Sequence, residues 1–271
     1  MKDFSVGVVM SFWDGDDPFQ FEEAIQSILN QTRVPNKFVI VQDGPVRINL
    51  KNIIDKFANN PIIDHIIIPT NKGRGNSRHA GVLKCDCAVV ALMDADDISE
   101  NTRIEKQVKF LKRNESIDIV GGYIQEIDGE NENIFRTVPL SHNDILKKGR
   151  FSQPFNHVTI MFKKDIYTRS GGYSFFKIME DYEYFHRLYL AGAKFANIPE
   201  VLVKVRTNGQ LCRRQGYKYF REEFLLQLIM YKSRYINFST MMRNICMRFL
   251  FRSLPGRIQS FITRKLLRES N

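Results

Sequence analysis

Ala88-Val89-Val90-Ala91-Leu92-Met93-Asp94-Ala95-Asp96-Asp97 is the stretch on which the reading of this chain turns. Its apolar half predicts a buried strand, and that strand runs straight into three carboxylates. Carboxylates crowded at a strand end repel one another and lose hydration, so a fold needs a reason to keep them. A divalent cation is one reason. Hard ions such as Mg²⁺ or Mn²⁺ take carboxylate oxygens and complete their shell with water and phosphate. The period of an extended chain puts Asp94 and Asp96 on one side. Asp97 then points away, or caps a helix beginning near Ser99. A plain capping cluster, Asp-Ile-Ser-Glu after a strand, accounts for the same residues without any metal.

Working outward, strands and helices alternate. Residues 4–13, 37–42, 62–68 and 88–93 have the β-branched and aromatic composition of strands. Helical periodicity marks residues 19–31, 50–58 and 103–113, and a further helix runs to Lys84 from the glycine-rich loop Asn71-Lys72-Gly73-Arg74-Gly75-Asn76. This order implies right-handed βαβ units and a mostly parallel sheet with helices on both faces. Ligands of such sheets lie beyond the carboxyl ends of the strands, so Asp14, Asp43, Asn71 and Asp94 should meet on one rim. Beyond residue 118 the pattern changes. Strands are expected at 119–127 and 134–138 around a turn at 129–133. Short helices follow near 144–148 and 164–170, then a helix over 180–191 and two short strands at 194–197 and 201–205.

The chain has 271 residues, 43% hydrophobic and 26% charged, ordinary values for a folded α/β protein. No apolar run approaches a membrane span, and Asp14 interrupts the N-terminal run before a signal-peptide core develops, so a cytoplasmic protein is expected. The four cysteines, Cys85, Cys87, Cys212 and Cys246, have neither metal-ligand nor disulfide spacing and read as reduced. The net charge of +10 resembles a nucleic-acid signal until it is located. From Val201 onward there are 15 basic residues against 3 acids, which leaves 25 against 27 before it. The excess is all in the tail, and nucleic acid is not an expected partner of the body.

Three further constellations bear chemistry. Val41-Gln42-Asp43-Gly44 sets an acid at a strand end, where it can accept from a nucleobase imide or merely stabilise a turn. The loop from Asn71 to Gly81 brings Arg74, Arg78 and His79 to a helix start, a setting that suits a diphosphate or only a loop with solvated charges. Glu180-Asp181 opens a helix, where acids complement the macrodipole and where one of them could serve as a general base.

The order of these signals resembles the family-2 inverting glycosyltransferases of GT-A fold. The likeness runs from about Phe4 to Arg206, through Ser11-Phe12-Trp13, Ala24 to Thr32, Val41-Gln42-Asp43-Gly44, Asn71-Lys72-Gly73, Asp94-Ala95-Asp96-Asp97, Gly172-Tyr173, Glu180-Asp181 and Arg187-Leu188. Gln42-Asp43-Gly44-Pro45, Pro154-Phe155-Asn156-His157, Met179-Glu180-Asp181-Tyr182 and Arg213-Arg214-Gln215-Gly216 are similar to bacterial O-antigen and exopolysaccharide enzymes of the amylovoran type. The resemblance implies a nucleotide-binding half at 1–98, an acceptor half at 99–206 and an extension at 207–271. Ser11, Trp13, Asp43, Arg78, Asp94, Arg213 and Arg214 would bind the nucleotide sugar. Asp94 and Asp96 would hold Mn²⁺ or Mg²⁺, and Asp181, with Glu180 beside it, would be the catalytic base. The donor implied is a UDP-hexose, with glucose placed ahead of galactose, and the acceptor a polyprenyl-diphosphate-linked sugar such as GlcNAc. Gln42 stands where an acid is common in the family, and Trp13 where a tyrosine is.

In the tail, Phe238, Met241, Met242, Ile245, Phe249 and Leu250 recur at helical spacing with Arg243, Arg248 and Arg252 among them, then resume after Pro255-Gly256. This is the composition of a helix lying on the anionic inner face of the inner membrane, or of helices packed on the body. Two other functions fit parts of the chain. A sugar-nucleotide nucleotidyltransferase needs a basic glycine-rich loop after the first strand, and Asp14-Gly15-Asp16-Asp17 would repel a triphosphate. A non-enzymatic membrane- or nucleic-acid-binding module would use the tail but leaves the ordered acids unexplained.

Overall fold

The computed structural model describes residues 4–127, 134–174, 176–206, 217–254 and 258. Parallel strands β1 (Val6–Phe12), β2 (Lys37–Asp43), β3 (Ile63–Ile68) and β4 (Val89–Asp94) lie in the order β3-β2-β1-β4. They alternate with helices α1 (Pro18–Leu29), α2 (Ile48–Lys56) and α3 (Arg74–Lys84). Side chains alternate as the pleat demands. Val8, Met10, Phe38, Ile40, Ala91 and Met93 join one core layer, while Val9, Val39, Val41, Val90 and Leu92 join the other. The order reverses between β1 and β4, where Ser11 and Asp94 are register partners at the carboxyl rim. A crevice for a ligand forms at such a reversal.

Past β4 the pairings are mixed. Strand β5 (Ile98–Ser99) stands where a helix start was expected, because it pairs antiparallel with Val203 and Lys204. Helix α4 follows at Arg103–Arg113. Strand β6 (Ile119–Ile127) pairs with β7 (Ile134–Arg136), and the expected turn between them lies outside the described residues. Helix α5 (His142–Gly149), strand β8 (Met161–Lys163), and helices α6 (Lys164–Ser170) and α7 (Glu180–Leu190) come next. The two short strands expected near 194–205 are one, β9 (Phe195–Arg206). Its ladder with β6 slips from Gly122–Ile198 to Tyr123–Val201, so Pro199 and Glu200 bulge out and Pro199 needs no ladder partner. Helices α8 (Tyr217–Lys232) and α9 (Phe238–Ser253) form a hairpin, and no helix among the described residues is long and apolar enough to cross a membrane.

Two close approaches fix how α3 meets the sheet. A Cβ at Gly81 would lie 2.5 Å from Val9 Cγ1 and 2.9 Å from Val41 Cγ2, and one at Gly7 would overlap Cys85 Sγ. Cys85 and Cys87 are buried free thiols, as expected, and serve here as small core side chains. Helix propensity alone favours Gly81→Ala by about 1 kcal/mol. Overlap with two stiff side chains on central strands costs about 1–3 kcal/mol. The variant should therefore unfold at lower denaturant with an unchanged m value, and a higher midpoint would show that α3 stands off the sheet.

Candidate active site

The carboxylates of Asp94, Asp96 and Asp97 offer oxygens that all lie within 4.8 Å of one another. Burial raises Asp96 and then Asp94 raises it further; Asp97 is driven well up, first by burial and then by both neighbours. Burial also opposes the charge on Asp94, but Arg78 and Arg74 outweigh it and hold this carboxyl below the usual range. Asp97, expected to point away or cap a helix, is buried and accepts from the Arg206 backbone N–H at 3.0 Å. Arg206 also donates to the Asp96 carbonyl at 2.7 Å and pairs with Glu23. The end of β9 thereby fixes the turn that carries the acids. Behind β4, buried Arg103 donates to the Leu92 carbonyl at 2.8 Å, and burial drops its pKa to about 9 against the pull of Asp94 and Asp97. A set of hard oxygen donors with surplus negative charge suits a divalent cation.

Arg78 connects this cluster to the acids of α7. Its guanidinium is buried, bonds Asp94 Oδ1 at 2.5 Å and lies 3.7 Å from Glu180 Oε1, while its Nε has no partner. Glu180 is buried beside Asp181, and its acid is pushed up to about 7 by burial first and Asp181 next, with Arg78 opposing. Asp181 faces a cavity of about 10 Å³ shared with Gln153, His157 and Tyr184. His157 bonds the Tyr173 hydroxyl at 2.7 Å. Burial and then Arg78 bring its pKa down to about 4, against Asp181 and Asp94, so the ring is neutral near pH 7.

Asp43 clips the glycine-rich loop to the rim. Its two carboxylate oxygens accept from the backbone N–H groups of Lys72 at 2.8 Å and Gly73 at 2.9 Å, and Asn71 donates to its carbonyl at 3.2 Å. Gly44 and Gly73 have φ of +89° and +87°, values that favour glycine. At Gly44 a Cβ would also come 2.7 Å from the Asn71 backbone nitrogen. The clip sets the entry of α3, and α3 carries Arg74 and Arg78.

Most of the expected site residues therefore fall along one run of contacts. Asp43 holds the loop, the loop starts α3, and Arg78 joins Asp94 and its neighbour Asp96 to Glu180 and Asp181. Ser11 lies beside Asp94 in register, and Trp13 is half exposed at the rim. Arg213 and Arg214 lie outside the described residues. Asp16 was missed. It accepts from the Trp13 N–H at 2.8 Å, and its acid is raised to about 6, mainly by burial, with Asp96 and Asp94 adding to the rise. Its place just past β1 was the available signal. Arg206 gave no such signal and His157 only its place in Pro154-Phe155-Asn156-His157, because their roles depend on strand pairings and packing distant in sequence.

The geometry fits the comparisons with known proteins. A family model described as glycosyl transferase family 2 matches residues 20–178, and the chain belongs to that family. The amylovoran biosynthesis glycosyltransferase AmsE of Erwinia amylovora is 31% identical over 95% of this chain and 97% of its own length. The UDP-Gal:alpha-D-GlcNAc-diphosphoundecaprenol beta-1,3-galactosyltransferase of Escherichia coli is 31% identical over 96% of each. The crystal structure of S. aureus TarS superposes with a TM-score of 0.65 at 15% identity, covering 91% of this chain and 43% of that one. It shows that the fold is of the GT-A type.

Glu180 supplies a pH test. A carboxyl whose folded pKa lies near 7 rather than 4.5 weakens the fold as pH rises between those values, because the native state must release a proton it binds more tightly. Glu180→Gln in chelator-treated protein should leave Tm nearly unchanged at pH 5 and raise it at pH 8. An equal shift at both values would show that Glu180 is not held protonated.

Proposed function

We propose that this chain is a metal-dependent inverting hexosyltransferase. It moves a hexose from a UDP-sugar to an undecaprenyl-diphosphate-linked sugar during assembly of a polysaccharide repeat unit. The observation that carries the reading is Arg78, one buried guanidinium between the Asp94 cluster and the Glu180-Asp181 pair. It sets a site for a charged diphosphate against a carboxylate that can take a proton. The AmsE and E. coli relatives support the setting, and the second name moves galactose ahead of glucose as donor. TarS solved with UDP-GlcNAc supports a uridine donor on this fold.

A Mn²⁺ or Mg²⁺ ion held by Asp94 and Asp96 would supply Lewis-acid neutralisation of the donor's diphosphate. The chain's residues do the rest. Ser11, Trp13 and the rim around Asp43 hold the nucleoside, and Asp43 meets the base with the lone pairs that the loop leaves available. Arg78 keeps Asp94 ionised and offsets Glu180, and Arg213 and Arg214, which lie outside the described residues, would add positive charge for the diphosphate. Asp181 accepts the proton of the acceptor hydroxyl. That oxygen bonds C1 as the bond from C1 to the diphosphate breaks, and UDP departs with the electron pair. A single displacement on an α-linked donor leaves a β-linkage.

Residues 1–206 form the catalytic domain and 207–271 the extension on which it meets an anionic bilayer. Arg243 lies 4.1 Å over the Phe151 ring of the body, and Arg252 pairs at 2.8 Å with buried Glu223 of the extension itself, so both cations are engaged within the protein rather than left for lipid. Phe238, Met247, Phe249 and Leu250 are among the exposed apolar side chains of the extension and supply contacts for the surface. Arg257, Arg264, Lys265 and Arg268 follow in sequence, with most of that stretch outside the described residues. Met247→Ser with Leu250→Ser should lower co-sedimentation with phosphatidylglycerol vesicles, and unchanged pelleting would remove this surface from the account.

The reaction is tested with UDP-Gal and UDP-Glc, Mn²⁺ and a GlcNAc-diphosphate-lipid acceptor. Asp96→Asn and Asp181→Asn should each lower kcat by about 10²–10⁴. Full turnover in EDTA, or in either variant, would refute the reading.

A further inference from the structure

The segment presenting Asp181 is pinned by a residue more than forty positions away. Glu222 is buried on α8, and its Oε2 accepts from the Ile178 backbone N–H at 2.9 Å, two residues before Glu180. On the other side, Gly75 in the first turn of α3 packs on the same segment, so that a Cβ there would meet Glu180 Cβ at 3.5 Å and the Phe176 carbonyl at 3.7 Å. Within α7, Glu183 holds the Ser174 hydroxyl at 2.7 Å and Arg187 Nε at 2.8 Å. Residues 176–180 are therefore gripped between the helix that carries Arg78 and the C-terminal hairpin.

The hairpin is itself anchored to the body around α5 and α7. Within the hairpin, Glu223 of α8, next to Glu222, takes two bonds from Arg252 of α9, at 3.1 and 2.8 Å, and the contacts to the body come from its other residues. Asn244 bridges Gln227 and the Arg150 carbonyl, both at 2.8 Å. Tyr235 reaches the Leu146 carbonyl at 2.7 Å, and Tyr182 of α7 donates to the Gly149 carbonyl at 2.6 Å. Consecutive glutamates on α8 thus do different things: one secures the hairpin, and the other secures the entry to α7. The family model matches residues 20–178, so Ile178 lies at the end of the matched segment and Glu222 beyond it.

We propose that Glu222 is a positioning residue for Asp181, acting through the Ile178 N–H, and that α8 and α9 are thereby part of the transfer machinery. The inference rests on the reading of Asp181 as the base. A general base displaced from its acceptor by even a fraction of a bond length loses rate while the distant donor site is unaffected. Glutamine at 222 keeps an acceptor oxygen for the same N–H, and alanine removes it.

The test compares Glu222→Ala and Glu222→Gln in the full chain by kinetics, by calorimetry with UDP and Mn²⁺, and by amide hydrogen exchange over residues 176–182. Alanine should lower kcat about 10-fold with KM for the donor within about twofold. It should also speed exchange at Ile178, and glutamine should restore both. Equal losses in the two variants, unchanged kcat despite faster exchange, or a matching loss of UDP affinity would overturn the proposal. If alanine fails to fold, Glu222→Asp, which shortens the reach, must show the same kcat loss and faster exchange. Asp181→Asn separates the two readings. Retained transfer there refutes Asp181 as base and overturns the positioning role with it, whereas lost transfer there beside an unchanged kcat in Glu222→Ala overturns the positioning role alone.

Discussion

Negative charge gathered beyond the ends of parallel strands is the constraint around which this molecule is arranged. Asp94, Asp96 and Asp97 share a space that burial makes hostile to charge, and Glu180 and Asp181 approach from the other side. Arg78 stands between the two groups and Arg103 lies behind β4, each held by backbone or carboxylate partners. Removing one partner of such a buried arrangement leaves the other charge uncompensated, which is costlier than losing a surface pair. The rest of the α/β body serves this arrangement. Asp43 clips the loop that starts α3, and the close seat of Gly81 on the sheet sets where α3 runs.

The same constraint explains what could be read in the sequence. Apart from β5, strands and helices through residue 113 were legible because apolar periodicity and glycine-rich loops mark them locally, and α4 begins and ends where its pattern does. The acids were legible as a cluster because a buried run ending in three aspartates is itself improbable. What held them was not. Arg206 reaches Asp96 and Asp97 only because β9 closes back on β5, a pairing no local pattern announces. The β5 strand replaced an expected helix for that reason, and Pro199 concealed the continuity of β9. His157 and Tyr173 were visible as residues, but their hydrogen bond depends on how two loops pack.

The C-terminal helices show composition and placement diverging. Their arginines suggest a cationic face, yet Arg243, Arg248 and Arg252 turn to Phe151 and Glu223. A buried carboxylate such as Glu223 requires a partner, and that demand outweighs the simple amphipathic pattern. The outward apolar residues then become the distinctive feature of the surface, and inward Glu222 links the hairpin to the segment that enters α7.

Calorimetric titration of UDP, with Mn²⁺ and with EDTA, is the most direct measure of whether these carboxylates exist to grip a cation and a diphosphate. The account predicts tighter UDP binding with Mn²⁺, an increment lost in Asp96→Asn while the metal-free affinity is kept. Equal affinity with and without the ion in the unmodified protein would contradict it.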